Sequence, residues 1–501
     1  MPPEQFDGAT RFAAIARRIA AAIDDGAIAA GERLPSVRRL SRQEGVSMTT
    51  ALAAMRLLES HGYVTVRPQS GHFARHPARL PAPARSEPPQ HDRIPAIEGL
   101  IGDILSRSVR GRGFSFGEAV PAPTLLPLRA IARRIGRLAH SEGETLLGGL
   151  SGQGLAELRA AIAGRMAHAG CTVHPDAITI TGGAADAVAL ALRAVTSPGD
   201  LVALESPTYY GLLMTAASCG LRIRELPTDP TEGLDPNAFA AMCASAPPRA
   251  LVLSANVQNP TGACMRESRK RELVALAARY GVTIIEDDVF GEYARHAGAG
   301  LRALKAHDQT GTVIYCSSFS KVLAPGLRVG WIIAGPHHDA VLRDRIAQSW
   351  GAPLLNQKAL ALSLREASYE QHMRRMVHTL GDTRARALDL IARRFPAGTR
   401  IAPGVHGFLL WLQLPDALDG YAFYQRAMAR DIVVMPGFAF SATGGFRDCI
   451  RLSLGHPWSS AMADALAALG DLADRMLAEN ARLTASGHGA ADARKGPAPS
   501  A

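Results

Sequence analysis

Six prolines crowd into residues 77–95, PARLPAPARSEPPQHDRIP, a stretch almost empty of large apolar side chains. Proline fixes φ and has no N–H, so such a run cannot enter the interior of a helix or a sheet. It should be an extended, semi-rigid connector, here placed at residues 77–96. The chain on either side must then fold separately, and 501 residues are in any case too many for one ordinary domain. Residues 8–76 show helical spacing and concentrated basic charge. From about Ile97 to Met476, apolar strand-like runs alternate with helical segments, the pattern of an α/β domain. Residues 485–501 are mostly Ala, Gly, Ser and Pro, and such a tail is expected to be disordered.

The chain is 47% hydrophobic and 20% charged, a balance that lets a globular protein bury large cores. No run of about 18 uninterrupted apolar residues occurs, so no membrane partner is expected. Met1-Pro-Pro-Glu-Gln-Phe-Asp has neither the basic start nor the apolar core of a secretory signal, which predicts a cytoplasmic protein. Cys171, Cys219, Cys243, Cys264, Cys316 and Cys449 form no CxxC pair, so neither a metal site nor a disulfide framework is expected.

The net charge of +10 permits a nucleic-acid partner, and its distribution says more. Between Arg33 and Arg75 lie seven arginines (Arg33, Arg38, Arg39, Arg42, Arg56, Arg67 and Arg75) against two acids, Glu44 and Glu59. Phe12, Ile15, Ile19 and Ile23 put one apolar stripe on a first helix. Pro35 opens a short helix through Arg42, Gly45 makes the turn, and Ser47 caps a further helix whose inward stripe is Met48, Leu52, Met55 and Leu58. Tyr63-Val-Thr-Val-Arg-Pro reads as a strand, turned at Pro68 to Gly71 into His72-Phe73-Ala74. Helices followed by a hairpin make a winged helix-turn-helix, in which Ser47 to Thr50 would face the major groove. The segment resembles the GntR family through LPSVR, the GVS turn, LE-x-x-GY and RP-x-SG. That resemblance implies binding to a double-stranded DNA operator, with Arg33, Ser36, Arg38, Arg42, Ser47, Thr49, Thr50, Arg67 and Gly71 as the candidate contacts.

Lysine is scarce, with five in the chain, and Lys321 lies in Ser317-Ser-Phe-Ser-Lys-Val-Leu-Ala-Pro-Gly-Leu-Arg-Val-Gly-Trp331. An amine, hydroxyls and an arginine in one turn-rich segment suit an aldehyde cofactor bearing a phosphate. Five further segments accompany it. Leu251 to Gly262 is a buried strand ending in Asn-Pro-Thr-Gly, and Val282 to Asp288 is another ending in acids. Ala177-Ile-Thr-Ile-Thr-Gly-Gly-Ala-Ala-Asp is a strand, a glycine turn and a helix start, which is an anion site. Glu205-Ser-Pro-Thr-Tyr-Tyr-Gly and Ile450-Arg-Leu-Ser-Leu-Gly complete the set. In this order they resemble the fold-type I pyridoxal-phosphate aminotransferases over residues 97–476, and the whole chain resembles the MocR/GabR-type regulators. The implied fold is α/β: a winged helix-turn-helix, then an aminotransferase-like large domain with a smaller C-terminal α+β subdomain.

Carried over residue by residue, the resemblance implies that Lys321 binds the aldehyde of pyridoxal 5'-phosphate. Asp287 would pair with the pyridine nitrogen, Asn259 with the phenolic oxygen, and Tyr209 would stack on the ring. Ser318, Ser320, Arg328 and the backbone of Gly183, Ala184 and Ala185 would hold the phosphate. Arg451 would grip the carboxylate of an amino-acid or amine effector. A homodimer is implied as well. Departures from the pattern are Val289 and Phe290 where a tyrosine is usual, Ala184 and Ala185 in place of a polar pair, and Gly149 in place of a partner-reaching tyrosine. Three readings follow: an effector-sensing regulator, a working aminotransferase with a vestigial head, and a regulator whose large domain is only a scaffold.

Overall fold

The computed structural model describes residues 10–67, 70–78, 80–88, 113–415 and 418–492. The wing turn at Pro68 and Gln69, the second half of the expected connector, the large-domain start at Ile97 and the last nine residues, 493–501, lie outside the described residues.

The head contains α1 (Arg11–Asp24), α2 (Val37–Gln43), α3 (Met48–Ser60), β1 (Val64–Arg67) and β2 (Gly71–Ala74). Its core is Ile15, Ile19 and Ile23 of α1 against Leu40 and against Ala51, Met55 and Leu58 of α3. Ser36 and Ser47 cap α2 and α3, each accepting a backbone N–H three residues on, at 3.3 and 3.1 Å. Those caps satisfy donors that the first helical turn leaves unpaired, and so fix where the turn between the helices ends. β1 and β2 pair antiparallel from Val64↔Ala74 to Arg67↔Gly71, forming the wing. One expectation fails: Met48 is 46% exposed and does not belong to the inward stripe, because the first turn of α3 projects beyond the layer formed by α1 and α2.

The large domain is built on an eight-stranded sheet. Its strands are β4 (Ile178–Thr181), β5 (Leu201–Ser206), β6 (Arg222–Asp229), β7 (Gly233–Leu234), β8 (Ala250–Leu253), β9 (Thr283–Asp287), β10 (Val313–Ser318) and β11 (Gly330–Ile333), after a short N-terminal β3 (Phe114–Ser115). The order is β4-β11-β10-β9-β8-β5-β6-β7. From β10 to β6 all neighbours are parallel, while β11 runs antiparallel between β4 and β10. β5, β8 and β10 are buried at every residue, as strands covered on both faces must be, and this explains the apolar runs with which they begin; the polar residues of β5 and β10 stand at their carboxyl ends. The helix α4 (Ala184–Val195) packs on this sheet.

The smaller subdomain has a second sheet, β12 (Arg400–Ile401), β13 (Leu409–Gln413), β16 (Cys449–Ser453) and β15 (Met435–Pro436) in that order. β14 (Ile432–Val433) pairs separately with β3. Helices α5 (Ala367–Arg394) and α6 (Ser460–Asp492) pack against each other beside these strands. α6 runs on to Asp492, so helix enters the tail that was expected to be disordered.

The described residues of the connector, 77–78 and 80–88, form neither helix nor strand and do not stand free. Leu80 packs on the large domain's core, and Pro81 accepts the Ile401 N–H at 2.8 Å. Ser86 is buried, donates to the carbonyl of Ser206, and accepts the Thr228 N–H at 2.9 Å. The head also rests on the large domain: Arg75 meets Asp389 of α5, and Glu59 of α3 lies 2.9 Å from His378.

Candidate functional site

The parallel strands deliver their carboxyl ends to one place, where α/β sheets gather ligand-binding groups. Asp287 ends β9, and Ser318, Ser320 and Lys321 follow from the end of β10. Tyr209 and Asn259 lie on the loops after β5 and β8, and Arg451 enters from β16 of the small subdomain.

Arg451 is fully buried. Its guanidinium donates to the carbonyl of Gly117 and, at 3.4 Å, to Asn259 Oδ1, while Nε has no hydrogen-bond partner. An orphaned donor of this kind is costly in a protein interior and marks a place where an anion fits. Asp287 shows the complementary feature: Oδ1 is buried and accepts no hydrogen bond. Burial, and then the neighbouring Asp288, push its carboxyl up to about 7. A cationic ring nitrogen would supply the missing donor and restore the ionised form. Lys321 is half-buried, and burial together with Arg451 pulls its ammonium down to about 8, so a fraction of the amine is neutral and nucleophilic near neutral pH.

Gly183 precedes α4 at φ +120°, a backbone conformation open mainly to glycine. A Cβ there would sit 2.7 Å from the Arg328 guanidinium, so the backbone and that arginine line one cradle. Ala184 and Ala185 form the first turn of α4, whose N–H groups have no carbonyl to reach within the helix. Arg328 holds φ +52°, rare outside glycine. The buried Ser318 accepts the Ser320 N–H at 3.4 Å. Val289 and Phe290 are buried, Phe290 edge-on to Phe408, and neither offers a hydroxyl. The donors, the acceptor and the glycine cradle fit pyridoxal phosphate, with fewer side-chain ligands than the family pattern.

Sequence reasoning missed Glu205, buried on β5 with an unpartnered Oε1 and pushed up to about 8 by burial. It also missed Gly117, whose carbonyl accepts from Arg451. Nothing in its local spacing flags it, since only the fold brings it to Arg451.

On the head, Arg33, Ser36, Arg38, Arg42, Ser47, Thr49 and Arg67 are exposed, while Thr50 and Gly71 are half-buried. Thr50 Oγ1 is 2.9 Å from Ser47 Oγ, so its hydroxyl helps to close the cap. Arg67 lies over the Phe73 ring at 4.3 Å, and Arg33 packs against Gly71, which places both guanidiniums on the wing.

A profile of the gntR family of bacterial regulatory proteins matches residues 12–73, and one of aminotransferase class I and II matches residues 119–469. The chain is a MocR-type GntR regulator. It is 35% identical over 475 residues to the uncharacterized HTH-type transcriptional regulator YjiR of Escherichia coli (strain K12), spanning 93% of this chain and 100% of that one. It is 30% identical over 386 residues to a 2-aminoadipate transaminase of Thermus thermophilus, covering 75% and 94%. Among solved structures, LysN, an α-aminoadipate aminotransferase from Thermus thermophilus complexed with N-(5'-phosphopyridoxyl)-L-leucine, superposes with a TM-score of 0.67 at 28% identity, covering 75% of this chain and 95% of that one.

The MocR-type assignment makes the chain a transcriptional regulator with an aminotransferase-like domain. Among the described residues no helix is long and apolar enough to cross a membrane, and no group of metal-ligating side chains gathers. All six cysteines are free thiols.

Proposed function

We propose that this regulator holds pyridoxal phosphate at Lys321, senses an amino acid or amine beside it, and passes the result to a DNA-bound head. The observation that carries this reading is the unpartnered pair at the strand ends, Asp287 Oδ1 and Arg451 Nε, with Lys321 between the charges of the two residues. Bound there, the cofactor supplies an aldehyde that condenses with amines and a ring that absorbs visible light. Lys321 offers the amine, Asp287 keeps the ring nitrogen protonated, Asn259 faces the phenolic oxygen, and Tyr209 covers the ring. Ser318, Ser320, Arg328 and the N–H groups at Gly183, Ala184 and Ala185 take the phosphate. Arg451 takes the effector's carboxylate.

A route from site to head is built into the fold. Asn259 accepts from Arg451 and begins the Asn-Pro-Thr-Gly loop. That loop ends at Gly262, against Gly404, where a Cβ on Gly404 would come within 2.6 Å of the Gly262 carbonyl. Two residues further on, His406 touches His61, which closes α3. An effector that moves Arg451 can thereby alter how the head rests, provided that it binds the two arrangements with different affinity.

We further propose a homodimer working on duplex DNA in the cytoplasm. Leu147, Leu150 and Trp350 are exposed at 70%, 76% and 62%; Leu147 lies in the short helix Gly143–Gly148 and Leu150 just after it, on either side of Gly149, where the family places a residue reaching its partner. Two heads would then read two half-sites.

The test is the absorbance spectrum of the purified protein beside Lys321→Ala. A visible absorbance band that is present in the wild type and lost or shifted in the variant supports the reading. No band after adding pyridoxal phosphate makes the large domain a scaffold. A second reading, a working aminotransferase, draws on Lys321, Asp287 and Arg451 standing together and on the likeness to a transaminase. Steady turnover with no DNA affinity would favour it.

A further inference from the structure

Asp287 is followed in the chain by a second buried acid, Asp288, which has an ion pair of its own. Arg295 Nη1 donates to Asp288 Oδ2 at 2.8 Å, with the two side chains 7% and 0% exposed. The Tyr315 hydroxyl donates to the same oxygen at 2.8 Å, and Asn256, itself held by Lys270 at 2.8 Å, donates to Oδ1 at 3.4 Å. The Asp288 N–H donates to the Cys316 carbonyl at 2.9 Å, and its carbonyl accepts the Ser317 hydroxyl at 3.0 Å. These bonds tie the end of β9 to the strand that leads to Lys321. The chain also closes tightly over the pair: a Cβ on Gly291 would collide with Asp288 Oδ1 and come within 2.6 Å of Arg295 Nη1.

Arg295 comes from the short helix Gly291–His296, whose Tyr293 hydroxyl donates to the Lys321 carbonyl. One element thus touches both the neighbour of Asp287 and the backbone of the lysine. Burying two charges costs desolvation that their attraction seldom exceeds, so such a pair is a poor route to stability. Its place gives it another use. Left uncompensated, the Asp288 charge would oppose ionisation of Asp287, the group that meets the ring nitrogen. Of the other ionisable groups around the two aspartates, Lys321 acts on Asp287, Lys270 is paired with Glu267, and Glu205 and Glu286 are pushed up by burial. Burial likewise raises the phenols of Tyr209 and Tyr315 and the thiols of Cys171, Cys264 and Cys316, which stay neutral at pH 7. Arg295 is the cation that answers Asp288. Burial works against its charge, and Asp288, Tyr315 and Glu292 together outweigh burial and hold the guanidinium protonated.

We propose that Arg295 sets the charge of Asp287, acting through Asp288 as a positioning residue: it neutralises the second carboxylate so that the first can carry its own charge opposite the ring nitrogen. This rests on the cofactor reading given above and deepens it, since it names what allows so deeply buried a carboxyl to ionise on binding.

The test is a pH titration of the visible band in the full chain loaded with pyridoxal phosphate. A bare negative charge near the site favours the protonated form of the chromophore, and a bare positive charge opposes it. Arg295→Gln should therefore raise the titration midpoint by about half a pH unit or more, and Asp288→Asn should lower it by as much. The double variant should return to within about 0.3 unit of wild type, and Arg295→Lys should keep the wild-type midpoint. Tyr315→Phe removes one donor from Asp288 and no charge, so it should move the midpoint in the direction of Arg295→Gln by less; it replaces the charge variants if they do not fold. Shifts of one sign in both single variants, or none in Arg295→Gln and Tyr315→Phe, overturn the proposal. A second readout needs no cofactor. The rise in unfolding midpoint that Asp287→Asn produces at pH 8 should be larger in the Arg295→Gln background than in wild type, and smaller in the Asp288→Asn background. Those changes without any cofactor band sink the cofactor reading and keep the coupling of Arg295 to Asp287. A normal band whose midpoint ignores both substitutions does the reverse.

Discussion

His61, the residue that closes α3, stands edge-on to His406 of the large domain, ring centroids 5.6 Å apart and planes at 87°. Arg384 of α5, which donates to the Leu409 carbonyl at 3.1 Å, adds a positive charge to the same buried junction. Burial first, then His61 and Arg384, hold His406 down to about 3. The unfolded chain therefore takes up a proton near pH 6.5 that the folded chain refuses, and stability is present above that pH and lost as pH falls toward 3. Between pH 7 and 5 the loss should be about 2 kcal/mol. Thermal unfolding of His406→Phe should show a flatter pH profile over that interval; equal slopes would place the sensitivity elsewhere.

Arg38 projects from α2 with its guanidinium exposed, and Met48 projects from the first turn of α3 with no charge. If both face DNA, they should fail differently. Arg38→Ala should weaken operator binding and lower the slope of log affinity against log salt by about 0.9, one phosphate's worth. Met48→Ala should leave that slope alone and change which operator sequences are preferred. Binding titrations across a salt series distinguish the two.

The glycine cradle predicts opposite effects at residues two positions apart. Gly183→Ala puts a Cβ at φ +120° and 2.7 Å from Arg328, so cofactor affinity should drop tenfold or more. Ala185→Ser adds a hydroxyl at the exposed first turn of α4, where a hydrogen bond to a charged group contributes about 1.5–3 kcal/mol. That variant should bind pyridoxal phosphate at least tenfold tighter than wild type by spectroscopic titration.

Asp287 should leave a pH signature in the cofactor-free protein. Its carboxyl, ordinarily near 3.8, is pushed up to about 7, chiefly by burial, so the folded state disfavours its ionised form. Stability from this group is full below about pH 3.8 and lost as pH rises through 7. Asp287→Asn should remove that dependence, giving a higher unfolding midpoint than wild type at pH 8 and a similar one at pH 4. Adding pyridoxal phosphate should close the gap for the wild type alone, because only the carboxylate can pair with the ring nitrogen.

The sequence was most legible where chemistry and local geometry coincide. Ser47 had to cap a helix because it stands between a glycine turn and an apolar stripe, and Lys321 and Asp287 were visible because buried strands run directly into them. Met48 was misread because helical spacing cannot say how far a helix projects past its neighbours. The connector's docking depends on Leu80 and Ser86 meeting strands more than a hundred residues away, a relation that no local pattern carries. Helix at the start of the Ala-rich tail shows the converse limit: the composition that argued for disorder there is also rich in the best helix former. Gly117 went unnoticed for the same reason as the connector, since β16 brings Arg451 to it from the far end of the chain.

Segments 147–152 and 350–353 carry the last prediction. Gly351 is pressed against Ser151, where a Cβ would stand 2.2 Å from that carbonyl, so the segment carrying the exposed Leu147 and Leu150 lies beside the one carrying the exposed Trp350. Large side chains left this open to water favour a protein partner, and the partner we propose is a second copy of the chain. Leu150→Glu with Trp350→Glu should convert the dimer to a monomer by analytical ultracentrifugation, with the circular dichroism spectrum unchanged. The monomer should bind a single half-site and a full operator with the same affinity, whereas the wild type should prefer the full operator. A variant that stays dimeric would move the interface to another face and leave these exposed side chains unexplained.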